Sequence, residues 1–243
     1  MKYDSIFALV GDSPIPLLAL VEAFESDLTI FFYTPEKKQK VSNLKPYLLA
    51  MYPGQNFDFH ELPSMNKPSM QVISIAEKFK NIFTYDPKNS AIFVSSGTTT
   101  MALSMWFHSQ CKHYISIRRG LEFITWTHDQ SSDKSHIVLD GSRLNLKNIL
   151  LSMGWGYDEI TKRLKSKNQI VNVPIEVSYN PAKGELSFLG IVVSDDGGSG
   201  EKLVSIMSSL LDEFGFNGAR YVVRGKLSKR AKNLLHVGIT HEN

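Results

Sequence analysis

The sequence is poor in cysteine, in net charge and in long apolar runs, and each shortage excludes a class of protein. Its one cysteine, Cys111, can form neither an internal disulfide nor a metal site with several thiolate ligands. The net charge of +3 over 243 residues does not indicate a general coat for nucleic acid. No apolar run reaches the ~18 residues that cross a bilayer, and no secretory leader pattern is present at the N-terminus. We therefore expect a cytoplasmic protein without a membrane partner.

The rest of the composition is that of a folded protein. Apolar residues make up 42% of the chain, with 16 glycines and 10 prolines, and these values lie near the averages for folded domains. At about 150 residues per domain, the length predicts roughly two compact units.

Short apolar runs alternate with longer stretches of helical spacing over the first hundred residues. This alternation is typical of βα units around a mostly parallel sheet with flanking helices, so the sequence predicts an α/β fold. The predicted strands are 5–10, 28–33, 57–62 and 91–94, and the predicted helices are 16–24, 36–51, 70–83 and 101–108. Three further runs, 113–117, 121–127 and 136–139, predict strands that add an antiparallel edge.

The last third of the chain has a different pattern. Helices are predicted at 144–152 and 157–164, and the lysine-rich stretch 162–167 is the expected connector. Beyond it we expect a β-hairpin of 171–179 and 185–194, a helix at 201–214, a strand at 219–223 and a basic helix at 226–235. The predicted domains are therefore 1–165, an α/β ligand-binding domain, and 166–243, a small α+β module.

Two loops follow predicted strands and precede helices, where parallel sheets bind ligands. The first contains Gly11, Asp12, Ser13 and Pro14, and the second contains Ser95, Ser96, Gly97, Thr98, Thr99 and Thr100. Free backbone N–H groups at a helix start, together with short polar side chains, suit a polar or anionic ligand. Ordinary helix capping is the alternative for both loops, because Asp, Ser and Thr are preferred caps.

The second loop favours a ligand, because a single cap requires one hydroxyl and this loop has five. Neither loop has the G-x-G-x-x-G of a dinucleotide fold or the lysine of a phosphate-binding P-loop. Ordinary NAD and ATP sites are thus disfavoured, and we expect no cofactor.

In the predicted order, a strand is followed by Gly-Asp-Ser-Pro and a helix, and a later strand is followed by Ser96-Gly97-Thr98-Thr99-Thr100-Met101 and a helix. This order resembles the CARF (CRISPR-associated Rossmann-fold) domains of type III CRISPR systems. In that family the later loop commonly reads Thr-Gly-Gly-Thr-Lys-x-Met. The second glycine and the lysine are missing here. The resemblance covers about residues 1–130 and implies a Rossmann-like fold.

The resemblance further implies a homodimer that binds a cyclic oligoadenylate, most commonly cyclic tetra-adenylate, as a second messenger in antiviral defence. The implied ligand-binding residues are those of the two loops, including Met101. Three roles remain open: a nucleotide-binding sensor that acts on an effector protein or domain, a metal-independent ring nuclease in the same pocket, and a ligand-responsive regulator that binds nucleic acid. The missing lysine bears on phosphate binding and on cleavage of the ring.

Three other features of the sequence bear on function. The candidate nucleic-acid contacts Arg224, Lys226, Lys229 and Arg230 lie in a basic segment that is either a phosphate-binding surface or a solvated helix face. The seven histidines have no metal-ligand spacing, so no metal site is expected. Trp126 is either a surface for base stacking or a core residue. No catalytic residue is assigned.

Overall fold

The structure is a computed structural model that describes residues 2–118, 121–127, 130–138, 144–158, 163–166, 175–180, 185–192, 219–223 and 239–241. The chain divides into two compact units, Met1–Leu144 and Asn145–Asn243. This division comes earlier in the chain than the predicted boundary at residue 165. Assignment of a ligand-binding function to 1–165 and of a separate role to 166–243 stays a prediction.

The first unit is built on a seven-stranded sheet with helices between its strands. In chain order its elements are β1 Lys2–Leu9, α1 Ile15–Ala23, β2 Glu25–Tyr33, a 3-10 turn Pro35–Lys37, α2 Lys38–Met51, β3 Asn56–Glu61, α3 Pro68–Asn81, β4 Ser90–Phe93, α4 Thr99–Ser109, β5 His113–Arg118, β6 Glu122–Thr127 and β7 Gln130–Val138. The strand order is β3-β2-β1-β4-β5-β6-β7. The pairs among the first five strands are parallel, and β6 and β7 add antiparallel pairs. The predicted α/β fold with a mostly parallel sheet and an antiparallel edge is confirmed.

The central strands are continuous apolar runs because both of their faces are buried. In β1 the residues from Ile6 to Leu9 are at most 1% exposed. One face packs on α3 and α4 in a cluster that joins Phe7 and Phe32 to Phe79 and Met105. Right-handed crossovers place α1 and α2 on the other face. The sheet thus holds the carboxyl ends of β1, β4 and β5 along one edge.

The second unit contains α5 Leu146–Ser152, β8 Trp155–Asp158, β9 Arg163–Ser166, β10 Ile175–Asn180, β11 Glu185–Val192, β12 Ala219–Val223 and β13 Ile239–His241. β10 pairs with β11 antiparallel, and β12 and β13 continue that sheet with parallel pairs. The predicted hairpin and the predicted strand at 219–223 are confirmed. The predicted helices at 201–214 and 226–235 lie outside the described residues.

The helix predicted at 157–164 is wrong. β8 and β9 form an antiparallel pair there, in the register Trp155 to Ser166, so the lysine-rich stretch is largely a strand. Gly154 follows α5 with φ +81°, a conformation that ends the helix, and Trp155 then buries its side chain. The hydroxyl of Tyr157 accepts the Val177 N–H at 3.2 Å, which contributes to the fold of this unit.

Candidate functional site

The two predicted loops meet at the carboxyl edge of the sheet. β1 and β4 are neighbours in the register Phe7 to Ile92, so the segments that follow them leave the sheet side by side. A Cβ atom built on Gly11 would lie 3.4 Å from the Gly97 nitrogen and 3.5 Å from the Ser96 Cβ. The glycine of the first loop is therefore in contact with the second loop.

Gly97 fixes the path of the second loop. Its φ is +77°, and a Cβ atom there would lie 2.6 Å from the Leu9 Cβ and 2.7 Å from the Leu9 Cδ1. The Ser96 hydroxyl donates a hydrogen bond to the Leu9 carbonyl. The loop is thus held against the end of β1, and only glycine combines this φ with this close approach.

Three of the five loop hydroxyls bind the protein's own backbone. Besides Ser96, the Ser95 Oγ accepts the Ile117 N–H at 2.9 Å, and the Thr98 Oγ1 caps α4 by accepting the Met101 N–H at 3.3 Å. A hydroxyl that accepts one bond keeps its proton for another partner. Ser95 and Thr98 can therefore still donate to a ligand from positions that their own bonds fix.

The start of α4 adds backbone donors beside these hydroxyls. The N–H groups of Thr99 and Thr100 belong to the first turn, where a helix supplies no internal acceptor. The helix dipole places partial positive charge at the same end. Both threonine side chains are exposed, so this end of α4 is open to a polar or anionic group.

A cavity of about 950 Å³ lies between α4 and the β5–β6 part of the sheet. It is lined by Val94, Ser95, Ser96, Gly97, Thr98, Thr99, Ala102, Leu103, Trp106, Tyr114, Ser116, Arg118, Ile124, Trp126 and Thr127. Five of the seven residues predicted in the second loop region therefore share one cavity. Thr100 is exposed outside the lining, and Met101 is buried in the core cluster.

The first loop contacts the second loop outside the cavity. None of the four residues predicted there is part of the cavity lining. The Ser13 Oγ accepts the Ile15 N–H at 3.3 Å, and Pro14 occupies the N-cap of α1. Ligand contact by Gly11, Asp12, Ser13 and Pro14 stays a prediction.

Asp12 in that first loop is held by two lysines that follow β2. Its carboxylate pairs with Lys37 and, at 3.6 Å, with Lys40, whose Nζ also donates to the Asp12 carbonyl at 2.6 Å. The hydrogen bond from Lys37 is the main cause that lowers the pKa of the Asp12 carboxyl below its usual value. The pairing fixes the first loop to the residues after β2.

Of the second wall of the cavity, the sequence analysis raised Trp126 alone and missed the other residues. Tyr114, Ser116 and Arg118 alternate along β5, and cross-strand pairing sets Ile124 and Trp126 beside them. Tyr114 and Trp126 stack with ring centroids 5.6 Å apart and an interplanar angle of 28°. The sequence predicted both strands, at 113–117 and 121–127, but not the register in which they pair.

Arg118 brings positive charge to this edge. It is the last residue of β5, is exposed, and forms no ion pair with any residue that the structure describes. Its guanidinium offers five N–H donors to an anion. The Ser95–Thr100 loop contains no lysine, and Arg118 supplies a cation from the neighbouring strand β5.

The basic segment near the C-terminus falls outside what the structure describes. Arg224, Lys226, Lys229 and Arg230 lie outside the described residues, so nucleic-acid binding through them stays a prediction. Within the described ranges, no group of three or more His, Cys, Asp or Glu is placed to hold a metal ion. No helix among those described is both long and apolar enough to cross a membrane.

Comparison with known proteins gives a match of fold. No family model matches the sequence, and no curated protein matches it. Among solved structures, Can2 from Sulfobacillus thermosulfidooxidans in complex with cyclic tetra-adenylate has a TM-score of 0.62 at 12% identity, covering 99% of this chain and 93% of that one. Protein VC1899 from Vibrio cholerae has a TM-score of 0.58 at 10% identity, covering 98% and 93%.

A type III CRISPR defence DNA nuclease activated by cyclic oligoadenylate also matches, with a TM-score of 0.57 at 13% identity. The match covers 92% of this chain but only 45% of the nuclease, so this chain spans less than half of that protein. These likenesses confirm the resemblance to CARF proteins at the level of the fold.

Proposed function

We propose that this chain is a CARF-type sensor that binds a cyclic oligoadenylate, in the first place cyclic tetra-adenylate, across a homodimer in CRISPR antiviral signalling. One observation carries the proposal. The Ser95–Thr99 loop lines a cavity of about 950 Å³ at the start of α4, in a fold shared with a protein solved with cyclic tetra-adenylate.

The chemistry of the cavity suits a phosphodiester ring. Such a ring carries one negative charge per phosphate, and the loop side of the cavity presents hydroxyls, backbone N–H groups and the N-terminal end of the α4 dipole. Arg118 adds a full positive charge next to these neutral donors. Hydrogen bonds from this cation to a phosphate are shorter and stronger than those from the neutral donors.

Binding is favoured over cleavage by the residues that line the cavity. Its described lining contains no carboxylate, imidazole or amine that could act as a general base. The Tyr114 hydroxyl donates to the Cys111 carbonyl at 2.9 Å. Cleavage would then rest on positioning the ring's own 2′-hydroxyl, which the ring-nuclease alternative requires.

The outer face of α4 is the surface that we assign to the second copy. Leu103, Trp106 and Phe107 are exposed there by 55%, 44% and 74%. Leu103 and Trp106 also line the cavity, so a copy seated on this face would join the two cavities. A ring with two-fold symmetry would then contact equivalent loops of both protomers.

Calorimetric titration with cyclic tri-, tetra- and hexa-adenylate tests the proposed function, with linear tetra-adenylate as the control. We expect cyclic tetra-adenylate to bind most tightly, with one ring per two chains. Chromatography of the same mixtures over hours separates the two roles, because a sensor leaves the ring intact and a ring nuclease yields linear product. Absence of binding by all three rings would overturn the proposal.

Light scattering tests the dimer surface. Phe107→Glu places a charge on the outer face of α4 and is expected to give monomers, because a desolvated carboxylate disfavours an apolar interface. Leu49→Glu on α2 is the matched control, since Leu49 is 49% exposed on a helix of the opposite sheet face. A Phe107→Glu variant that stays dimeric would exclude this face.

A further inference from the structure

Beyond the Ser95–Thr99 loop, the cavity is lined by three aromatic side chains and one cation. Trp106 enters from α4, Tyr114 and Arg118 from β5, and Trp126 from β6. Within the described chain, Trp126 stacks on Tyr114 and Trp106 stacks on no ring. Trp126 is partly buried against the core, and Trp106 is 44% exposed, so one indole is held in place and the other borders the opening.

The register of the strands sets the distance between the aromatic group and the cation. Tyr114 faces Trp126, and Arg118 lies four residues further along β5 on the same face. At about 3.3 Å per residue this is roughly 13 Å of strand. A ligand that contacts both ends must be larger than one ring or one phosphate, and a nucleotide joined to a neighbouring phosphate has that extent.

The polar residues between the two ends indicate a ligand with hydrogen-bonding edges. Ser116 lies between Tyr114 and Arg118 on the same face of β5, and Thr127 follows Trp126 at the end of β6. Hydroxyls can donate or accept, so they suit the mixed edge of a nucleobase. A purely aliphatic ligand would leave these groups desolvated without partners.

We propose that this wall is a nucleobase subsite, in which Trp126 stacks on one adenine and Arg118 binds the phosphate beside it. The inference rests on the proposed function, because it names the part of the cavity that recognises the oligoadenylate. Tyr114 holds the Trp126 ring, and Trp106 borders the bound base from α4. Base stacking tolerates different bases, so this subsite supplies affinity and the hydroxyls supply selectivity.

The alternative is that Trp126 serves only to pack the core, and it makes a different prediction. Loss of the ring would then lower the stability of the fold and leave the affinity of the remaining folded protein unchanged. A neutral residue in place of Arg118 would likewise leave the salt dependence of binding unchanged. Affinity and its salt dependence therefore distinguish a subsite from a packing contact.

The test uses calorimetry with cyclic tetra-adenylate on the full chain. Trp126→Leu is expected to weaken binding by roughly 5- to 150-fold, the range for one stacked base, whereas Trp126→Phe should keep most of the affinity. Phe57→Leu is the matched aromatic control, because Phe57 lies on β3 at the far edge of the sheet. A melting curve for each variant shows that it is folded.

A second set of variants tests whether Arg118 binds a phosphate of the ligand. Arg118→Met should weaken binding and make the dependence of log Kd on log salt shallower, while Arg118→Lys should keep the slope. Lys2→Met is the charge control, since Lys2 pairs with Asp27 at 2.7 Å and is the first residue of β1, at the amino edge of the sheet. We expect it to change neither affinity nor slope.

Fluorescence of the wild-type protein tests the same subsite without a variant. Indole fluorescence should be quenched by cyclic tetra-adenylate and by adenosine monophosphate, and inorganic phosphate should not quench it. Ring binding without quenching, or with Trp126→Leu and Arg118→Met unchanged in affinity, would overturn the subsite and leave the proposed function standing. Quenching by adenosine monophosphate without ring binding would support the subsite and overturn the proposed function. Absence of binding by both would overturn both.

Discussion

Gly97→Ala tests whether the Ser95–Thr99 loop is held as the structure describes. The change adds one methyl group at a residue with φ +77°. That methyl would lie 2.6 Å from the Leu9 Cβ and 2.7 Å from the Leu9 Cδ1, both closer than carbon atoms approach in folded proteins. Leu9 is fully buried at the end of β1, and its Cβ is bonded to the backbone, so a change of rotamer cannot relieve the closest contact.

The expected cost has two parts. An alanine in the left-handed region costs about 1 to 2 kcal/mol. Overpacking a filled core costs about 1 to 3 kcal/mol more. Together the change should lower the free energy of unfolding by about 2 to 5 kcal/mol if the loop keeps its path. If the loop moves instead, part of this cost is relieved and the cavity wall is displaced, so affinity for the ring falls.

Urea unfolding followed by circular dichroism measures this effect. At a typical slope of about 2 kcal/mol per molar urea, the Gly97→Ala midpoint should fall by about 1 M or more. Gly54→Ala is the matched control, because a Cβ there meets nothing within 4 Å and its φ lies outside the left-handed region. In that control the free energy of unfolding should either stay the same or rise by up to about 1 kcal/mol. If Gly97→Ala matched Gly54→Ala in both midpoint and ligand affinity, the described loop geometry would be wrong.

Three further predictions follow from single residues. Lys37 holds the pKa of the Asp12 carboxyl below its usual value, so the ionised Asp12 side chain stabilises the fold. This contribution to the free energy of unfolding is present above about pH 4 and is lost as the pH falls through the lowered pKa. Asp12→Asn should therefore narrow the difference in urea midpoint between pH 5 and pH 3 by a small amount, because the carboxylate is exposed; an unchanged profile would contradict this. Gln110 ends α4 at φ +54°, a conformation that glycine adopts without strain. Gln110→Gly should therefore raise the free energy of unfolding by up to about 1 kcal/mol, and with it the melting temperature. A lower melting temperature would exclude strain at this residue. Burial raises the pKa of the Cys111 thiol to about 12, so a disulfide reagent at pH 8 should react with it only after urea unfolds the chain; rapid reaction without urea would show that the thiol is accessible.

The central sheet could be predicted from the sequence because its strands are buried on both faces. Runs such as the one from Ile6 to Leu9 are apolar without interruption, and the helices between them keep a helical spacing. The segment 157–164 could not be predicted in the same way. There the two strands β8 and β9 are short, and their structure depends on pairing with each other and not on a local pattern.

The candidate site was predictable on one side only. The hydroxyls and the glycine of the Ser95–Thr99 loop are adjacent in the sequence, so their composition indicated a site directly. The other wall combines Arg118 with Trp126, which line the same cavity only because β6 pairs with β5 in one register. A shift of that register by one residue would turn Trp126 to the other face of the sheet. The sequence also could not show that the Ser96 hydroxyl donates its hydrogen bond to the Leu9 carbonyl.

A crystal structure of the chain with cyclic tetra-adenylate tests the central claim most directly. We expect one ring on a two-fold axis, in contact with residues Ser95 to Thr99 of both protomers and with one adenine against Trp126. A ring bound elsewhere, with this cavity empty in both protomers, would contradict it.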